Sequence, residues 1–288
     1  MEQRTAQSDR TAQWYEMVEV VWKERIVTVS SGVRICIQEL GPTSGEPIVL
    51  IHGGGDCRVS WSYVAPILAE AGYRIIVPEL RGHGGTEVPE TALGYYLNTD
   101  YAADIEGLID ELGFPAVHLV GHSLGSITSQ TVAFTAPQKV KSVTLIASGA
   151  LVKAFSRVEI DPNEAMDEEF LEAWARCDLD EPAFVEAIRS YVFQMPVESW
   201  AKVLNGVRHI DTRSHLGEIR CPVQLIWGTE DDVFDADDQE VLRSGLSGTT
   251  VRFLPIDGAS HSPHWDSREN IELIAGAIDS FVADWHRV

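Results

Sequence analysis

Apolar residues recur along this chain in two rhythms. Runs of five or six residues rich in Val and Ile alternate with longer stretches whose apolar positions return every three or four residues. The first rhythm belongs to strands and the second to amphipathic helices. Residues 25–29, 34–39, 48–52, 74–78, 116–120, 142–147, 223–227 and 251–255 are predicted as eight strands. Residues 61–71, 100–112, 124–136, 237–246 and 268–285 are predicted as helices between them. Gly32 reads as the turn of an antiparallel hairpin joining the first two strands. The later alternation predicts an α/β fold, a mostly parallel eight-stranded sheet with helices on both faces.

One connection breaks the rhythm. From Ser148 to Arg220 the chain is far longer than a crossover helix requires. Helical spacing recurs inside it, through Phe170, Leu171 and Trp174, then Phe184, Ile188, Tyr191 and Val192, then Trp200, Val203 and Leu204. Pro182 stands where a helix should start, behind Asp180 or Glu181 as capping candidates. This stretch is expected to be an inserted helical cap at residues 149–216, leaving 25–148 and 217–288 as the core. Its acids Asp167, Glu168 and Glu169 are expected to face solvent. Residues 1–24 form an N-terminal extension in which Trp14, Met17, Val18, Val21 and Trp22 make one apolar stripe. That stripe is expected to pack back on the core.

Composition narrows the function classes. The 288 residues carry a formal net charge of -22, which repels phosphate backbones and disfavours nucleic acid as a partner. No signal peptide or membrane span is visible, so a cytoplasmic protein with no membrane partner is expected. Cys36, Cys57, Cys177 and Cys221 are scattered, which suits reduced thiols, and no dinucleotide or metal pattern stands out. No cofactor is therefore expected. A homo-oligomer stays open.

Four segments carry the chemistry. Gly121-His122-Ser123-Leu124-Gly125 lies between a predicted strand and a predicted helix. A nucleophilic serine must stand on a sharp, strained turn there, and only small residues fit on either side. His52-Gly53-Gly54-Gly55-Asp56 follows the third strand and can supply a backbone N–H to an oxyanion. Gly54 is preferred, with Gly55 as runner-up; Leu124 supplies the second N–H. The run 223–227 ends at Gly228-Thr229-Glu230-Asp231-Asp232, where Asp231 is preferred over Asp232 as the acid that orients a histidine. The neighbouring Asp235, Asp237 and Asp238 read as a solvated face. Finally, Gly258-Ala259-Ser260-His261-Ser262-Pro263-His264 supplies a general base, with His261 preferred. His264 is expected at the pocket edge or the surface.

In the order Ser, Asp, His, these segments resemble the α/β-hydrolase superfamily from about residue 25 to the C-terminus, and Leu80-Arg81-Gly82-His83-Gly84 is similar to the family's segment after the fourth strand. The resemblance implies Ser123 as nucleophile, Asp231 as acid and His261 as base, with Gly54 and Leu124 as oxyanion donors. Arg81 and His83 are expected to brace their loop. Ser260 departs from the glycine that many relatives carry before the histidine. The implied activity is hydrolysis of a small-molecule ester or lactone of small to medium apolar or aromatic character through an acyl-enzyme; the alternatives are a carbon–carbon bond hydrolase or other acyl transfer on the same triad, or a receptor-like hydrolase that only binds its ligand. Epoxide hydrolases and dehalogenases of this fold need an aspartate where Ser123 stands. Carbon–carbon bond hydrolases often have Asn and Trp where His122 and Ser262 stand, and cofactor-free haloperoxidases usually have Met in place of Leu124. Arg157, Arg189, Arg208 and Arg213 are candidates for holding a substrate carboxylate, with nothing to choose among them.

Overall fold

The computed structural model describes residues 23–89, 96–153, 167–175 and 179–285, and all eight expected strands form within them. They are β1 (Lys23–Thr28), β2 (Arg34–Leu40), β3 (Pro47–Ile51), β4 (Arg74–Pro78), β5 (Val117–His122), β6 (Val140–Ile146), β7 (Val223–Gly228) and β8 (Val251–Ile256). One sheet takes them in the order β1-β2-β4-β3-β5-β6-β7-β8. The β1–β2 hairpin turns through Gly32 at φ +82°, a left-handed conformation that suits glycine. β2 also pairs antiparallel with β4, and every pairing from β4 to β8 is parallel.

Parallel strands must be covered on both faces, and the sequence provides for this residue by residue. Along β3, Ile48 and Leu50 face one core and Val49 and Ile51 the other. The helices are α1 (Val64–Glu70), α2 (Asn98–Glu111), α3 (Leu124–Thr135), α4 (Glu168–Trp174), α5 (Pro182–Gln194), α6 (Val197–Val207), α7 (Ala236–Gly245), α8 (Pro263–Asp266) and α9 (Arg268–Trp285). α1 and α9 cover the first face through Val64, Leu68, Ile271, Ile274 and Ile278. α2 and α3 cover the second through Tyr101, Ile105, Leu108, Ile127 and Val132.

The long connection contains α4, α5 and α6, on the apolar spacings that the sequence shows. Pro182 opens α5 at its first turn, while Glu181, at the capping position, makes no side-chain hydrogen bond to the helix. Asp167 does cap α4, accepting from the Phe170 N–H, and Asp167, Glu168 and Glu169 are exposed as expected. Of the solvated face expected at Asp235, Asp237 and Asp238, the first two are exposed as expected and only Asp238 needs correction. Asp235 and Asp238 cap α7 reciprocally, and Asp238 is buried against Lys153 at 2.8 Å. The apolar stripe from Trp14 to Trp22, Arg157 and Cys177 lie outside the described residues. Among those described, Cys36, Cys57 and Cys221 are free thiols, and no helix is long and apolar enough to cross a membrane.

The loop after β4 is braced as expected. Arg81 forms a two-pronged pair with Asp104 of α2, with Nε to Oδ2 and Nη2 to Oδ1 both at 2.7 Å, and both side chains are buried. Removing the guanidinium leaves an uncompensated buried carboxylate. Arg81→Leu should therefore cost about 3–5 kcal/mol of stability, read as a lower urea midpoint at an unchanged slope.

Candidate active site

Strands β3, β5, β7 and β8 run parallel, so the loops leaving their carboxyl ends meet along one edge of the sheet. Ser123 occupies the turn between β5 and α3 at φ 48°, ψ -116°, a region that a residue with a Cβ avoids. Such a conformation costs on the order of 1–3 kcal/mol and persists only where its surroundings enforce it. The enforcement is visible. The Ser123 N–H donates to the Ile146 carbonyl at 3.0 Å, and α3 begins at once behind it. A Cβ on Gly121 would collide with the Gly125 carbonyl, and one on Gly125 with the carbonyls of Ile51 and His52. Both glycines are therefore required by backbone-to-backbone approach.

His261 stands beside this turn. Its Nε2 lies 3.0 Å from Ser123 Oγ and its Nδ1 lies 2.8 Å from Asp231 Oδ1. A carboxylate only accepts, so Nδ1 carries the proton and Nε2 turns its lone pair to the hydroxyl. Asp231 is held in turn by the N–H groups of Val233 and Phe234, at 2.9 and 3.0 Å. Burial pushes its carboxyl up, but the bonds from His261, Phe234 and Val233 outweigh burial and hold it below the ordinary carboxylate range. It is thus ionised wherever the imidazole needs a counter-charge. Gly228 lets the β7 loop come this close, since a Cβ there would strike the carbonyls of Ala259 and Ser260. Asp232, the alternative acid, is exposed at the rim.

The glycine loop after β3 separates its two candidate donors. The Gly55 N–H donates to His83 Nε2 at 2.9 Å, so the runner-up is committed elsewhere. The Gly53 carbonyl accepts from His52 Nδ1 at 2.7 Å, and the N–H of Gly54, across that planar peptide, points the opposite way. Among the described residues, neither the Gly54 nor the Leu124 N–H donates to a protein acceptor. Both residues line the same cavity as Ser123.

Two supporting histidines, His52 and His122, escaped the sequence reading, although each sits in a segment it singled out, whereas His83 braces its loop as expected. His52 donates from Nδ1 to Gly53 and accepts at Nε2 from the Leu80 N–H. His83 donates from Nδ1 to the Arg81 carbonyl and accepts at Nε2 from Gly55. His122 donates from Nε2 to the His261 carbonyl at 2.9 Å, which fixes the backbone that carries the base. Burial lowers the basicity of all three: His83 falls to about 4, His122 to about 3 with further lowering from His261, and His52 falls well below the ordinary value. They work as neutral rings whose tautomers the backbone fixes. His264, expected at the pocket edge or surface, is instead fully buried against Trp61, His122 and Trp265. Its ring, His122 and Asp56 form a group that could hold a metal ion.

Over this edge lies a cavity of about 570 Å³. Its floor is Gly54, Ser123, Leu124 and His261, and its roof includes Trp174, Val192, Val203 and Leu204 of the insertion. The lining is mostly apolar. None of the candidate cations Arg189, Arg208 and Arg213 belongs to it; Arg189 pairs with Glu172 and Arg213 with Asp211, both on the surface. A hydroxyl facing a lone pair, a buried counter-ion behind it and two uncommitted N–H groups in front are the parts that acyl transfer at a carbonyl requires.

Comparison with known proteins agrees with this geometry at the level of the fold. A family model described as alpha/beta hydrolase fold matches residues 46–195. A putative carbamate hydrolase, RutD, of Variovorax paradoxus is 27% identical over 235 residues, 77% of this chain and 88% of that protein. Epoxide hydrolase A of Mycobacterium tuberculosis is 31% identical over 147 residues, which span 51% of this chain and only 44% of that relative's length. Among solved structures, an enol-lactonase from Burkholderia xenovorans superposes with a TM-score of 0.79 at 20% identity, covering 90% of this chain and all of that one (100%). A thermophilic esterase from Thermogutta terrifontis gives 0.77 at 22%, covering 92% and 99%.

The backbone contact at Gly125 gives a direct test. In Gly125→Ala the new methyl group must push α3 away from the end of β3, moving Ser123. Stability should fall by about 1–3 kcal/mol, and turnover of any substrate by at least about 100-fold, as measured by urea unfolding and steady-state kinetics.

Proposed function

The chain belongs to the α/β-hydrolase fold family, and on that footing we propose that it is a serine hydrolase. It cleaves a carboxylic ester or lactone of small to medium apolar or aromatic character, without a cofactor. The observation that supports this best is the unbroken run Asp231–His261–Ser123, at 2.8 and 3.0 Å, beside the free N–H groups of Gly54 and Leu124.

In this mechanism Ser123 Oγ attacks the substrate carbonyl while His261 Nε2 takes its proton. The Asp231 carboxylate stabilises the imidazolium, and the N–H groups of Gly54 and Leu124 hold the oxyanion. The imidazolium returns the proton to the leaving alkoxide as the tetrahedral intermediate collapses to the acyl-enzyme. Water then attacks the acyl group with His261 again as base, releasing the acid and restoring Ser123. The strained turn at Ser123 keeps Oγ aimed into the cavity throughout.

The insertion at residues 149–216 acts as a cap over the core of 25–148 and 217–288. Its aromatic and aliphatic side chains supply the apolar surface that holds the substrate. Epoxide opening, the chemistry named for one relative, does not suit a serine at position 123. The same reading locates the enzyme in the cytoplasm, which the free thiols of Cys36, Cys57 and Cys221 among the described residues support.

Two substitutions test the roles. Ser123→Ala should lower turnover of p-nitrophenyl butyrate by roughly 10³-fold or more and abolish covalent labelling of residue 123 by a fluorophosphonate, read by mass spectrometry. Asp231→Asn should leave labelling slow but detectable and reduce kcat by on the order of 10⁴-fold, because the wrong tautomer of His261 is then favoured. A Ser123→Ala protein as active as the parent would overturn the proposal.

A further inference from the structure

Behind the catalytic edge lies a group of side chains that the hydrolytic mechanism does not use. One ligand atom each from Asp56, His122 and His264 lies within 4.8 Å of the others. Both imidazoles are buried, and His264 is shut off from solvent altogether. Every neutral imidazole has one lone pair and one N–H, yet three ring nitrogens here are sealed from solvent without a partner: His122 Nδ1, His264 Nδ1 and His264 Nε2. Leaving such atoms unmatched forfeits the hydrogen bonds they would make with water and is unfavourable in a buried site.

We infer that Asp56, His122 and His264 form a binding site for a single divalent transition-metal ion, of which zinc is the best fit. Two imidazoles and one carboxylate make the nitrogen-and-oxygen set that zinc takes with three protein ligands and an open fourth position. The surroundings of His122 and Asp56 add to the case, while His264 would keep one ring nitrogen without a partner even with an ion bound. A metal-bound histidine is normally fixed by a hydrogen bond from its other ring nitrogen to a carbonyl or carboxylate. His122 meets that description: Nε2 donates to the His261 carbonyl, so the orphaned Nδ1 is the atom with the lone pair. Asp56 is oriented by the Cys57 N–H at 2.6 Å and more loosely by the Gly53 N–H at 3.4 Å. The His264 ring is clamped by Trp61, Trp265 and His122, with centroids at 4.7, 4.8 and 4.4 Å.

The geometry requires only a modest closure. Ligand atoms about 2.1 Å from a tetrahedral zinc stand about 3.4 Å apart, so the widest pair must close by little more than an ångström. Asp56 and His122 both line the cavity over the catalytic edge, which gives the ion an entry path. The site does not depend on the hydrolytic reading, since ion binding is measured without any substrate.

The test uses cobalt, which reports coordination by its colour. The full chain, stripped with a chelator, is titrated with Co²⁺ and then with Zn²⁺ while visible absorbance is followed. The parent should take up one equivalent of Co²⁺ with the intense bands of a tetrahedral ion, and Zn²⁺ should displace it. His264→Phe keeps an aromatic ring in the same slot without ligand atoms, and Asp56→Asn keeps the shape of the carboxylate without its charge. Each should weaken Co²⁺ binding by at least about 30-fold and remove the tetrahedral bands. Should one variant fail to fold by circular dichroism, the other decides. Absence of tetrahedral bands in the parent overturns the inference in favour of a buried water. Binding that is unchanged in a folded variant places the ion elsewhere and overturns it equally.

Discussion

The approach of α3 to the end of β3 governs the geometry of this molecule. With no Cβ at Gly125, the helix can lie directly against the Ile51 and His52 carbonyls, and with none at Gly121 the chain can reverse within three residues. The reversal pushes Ser123 into a conformation that costs on the order of 1–3 kcal/mol. Burial of the strands on both sides supplies the force that maintains it. β3 and β5 are buried at every position, so any relaxation of the turn would shift core side chains on two faces at once. The strain is a local cost borne by the whole sheet.

The second layer of the site is built from histidines kept neutral. His52, His83 and His122 each place one N–H on a carbonyl, and His52 and His83 each accept a backbone N–H on the other nitrogen. A side chain that donates and accepts across a rigid ring can tie two loops at a defined separation, which neither a carboxylate nor an ammonium can do. Burial suits this role, because it removes the charged form that would abolish the acceptor. His261 differs in having Asp231 behind it. Of these four histidines, His261 is the one hydrogen-bonded to a carboxylate, a counter-charge waiting for the proton it is proposed to accept.

The architecture was legible because its signals are local and periodic. The unbroken apolar run of β3 and the three-to-four spacing along α9 survive in the sequence as they stand in the fold, and Gly121, Gly125 and Gly228 mark the close approaches. The pairing of Ser123, Asp231 and His261 followed from chain order combined with strand polarity. What could not be read were the orientations of peptide planes and of buried rings. Gly54 and Gly55 are the same residue type, and only the bonds from His52 and to His83 show which N–H is free. The spacing of His264 from His261 gives no hint that the later ring turns inward between Trp61 and Trp265. Asp238 looked like one of several surface acids until Lys153 and the first turn of α7 were seen around it.

The insertion is joined to the chemistry by more than a covering surface. Trp174, at the end of α4, donates from its indole nitrogen to the Gly54 carbonyl at 3.0 Å. That carbonyl belongs to the peptide whose N–H reaches His83 through Gly55, so one peptide plane is pinned from above by the insertion and from below by the core. The same indole packs at right angles on Trp200 of α6, with centroids 5.2 Å apart. A movement of α4 away from the core would break the bond to Gly54 and leave that peptide held by His83 alone. The insertion and the glycine loop are therefore mechanically linked: with the indole seated, the peptide next to the free N–H is held from both sides. A hydrogen bond to a charged oxyanion is strongest where water is excluded, so this linkage orders the donor in the state in which it is most useful.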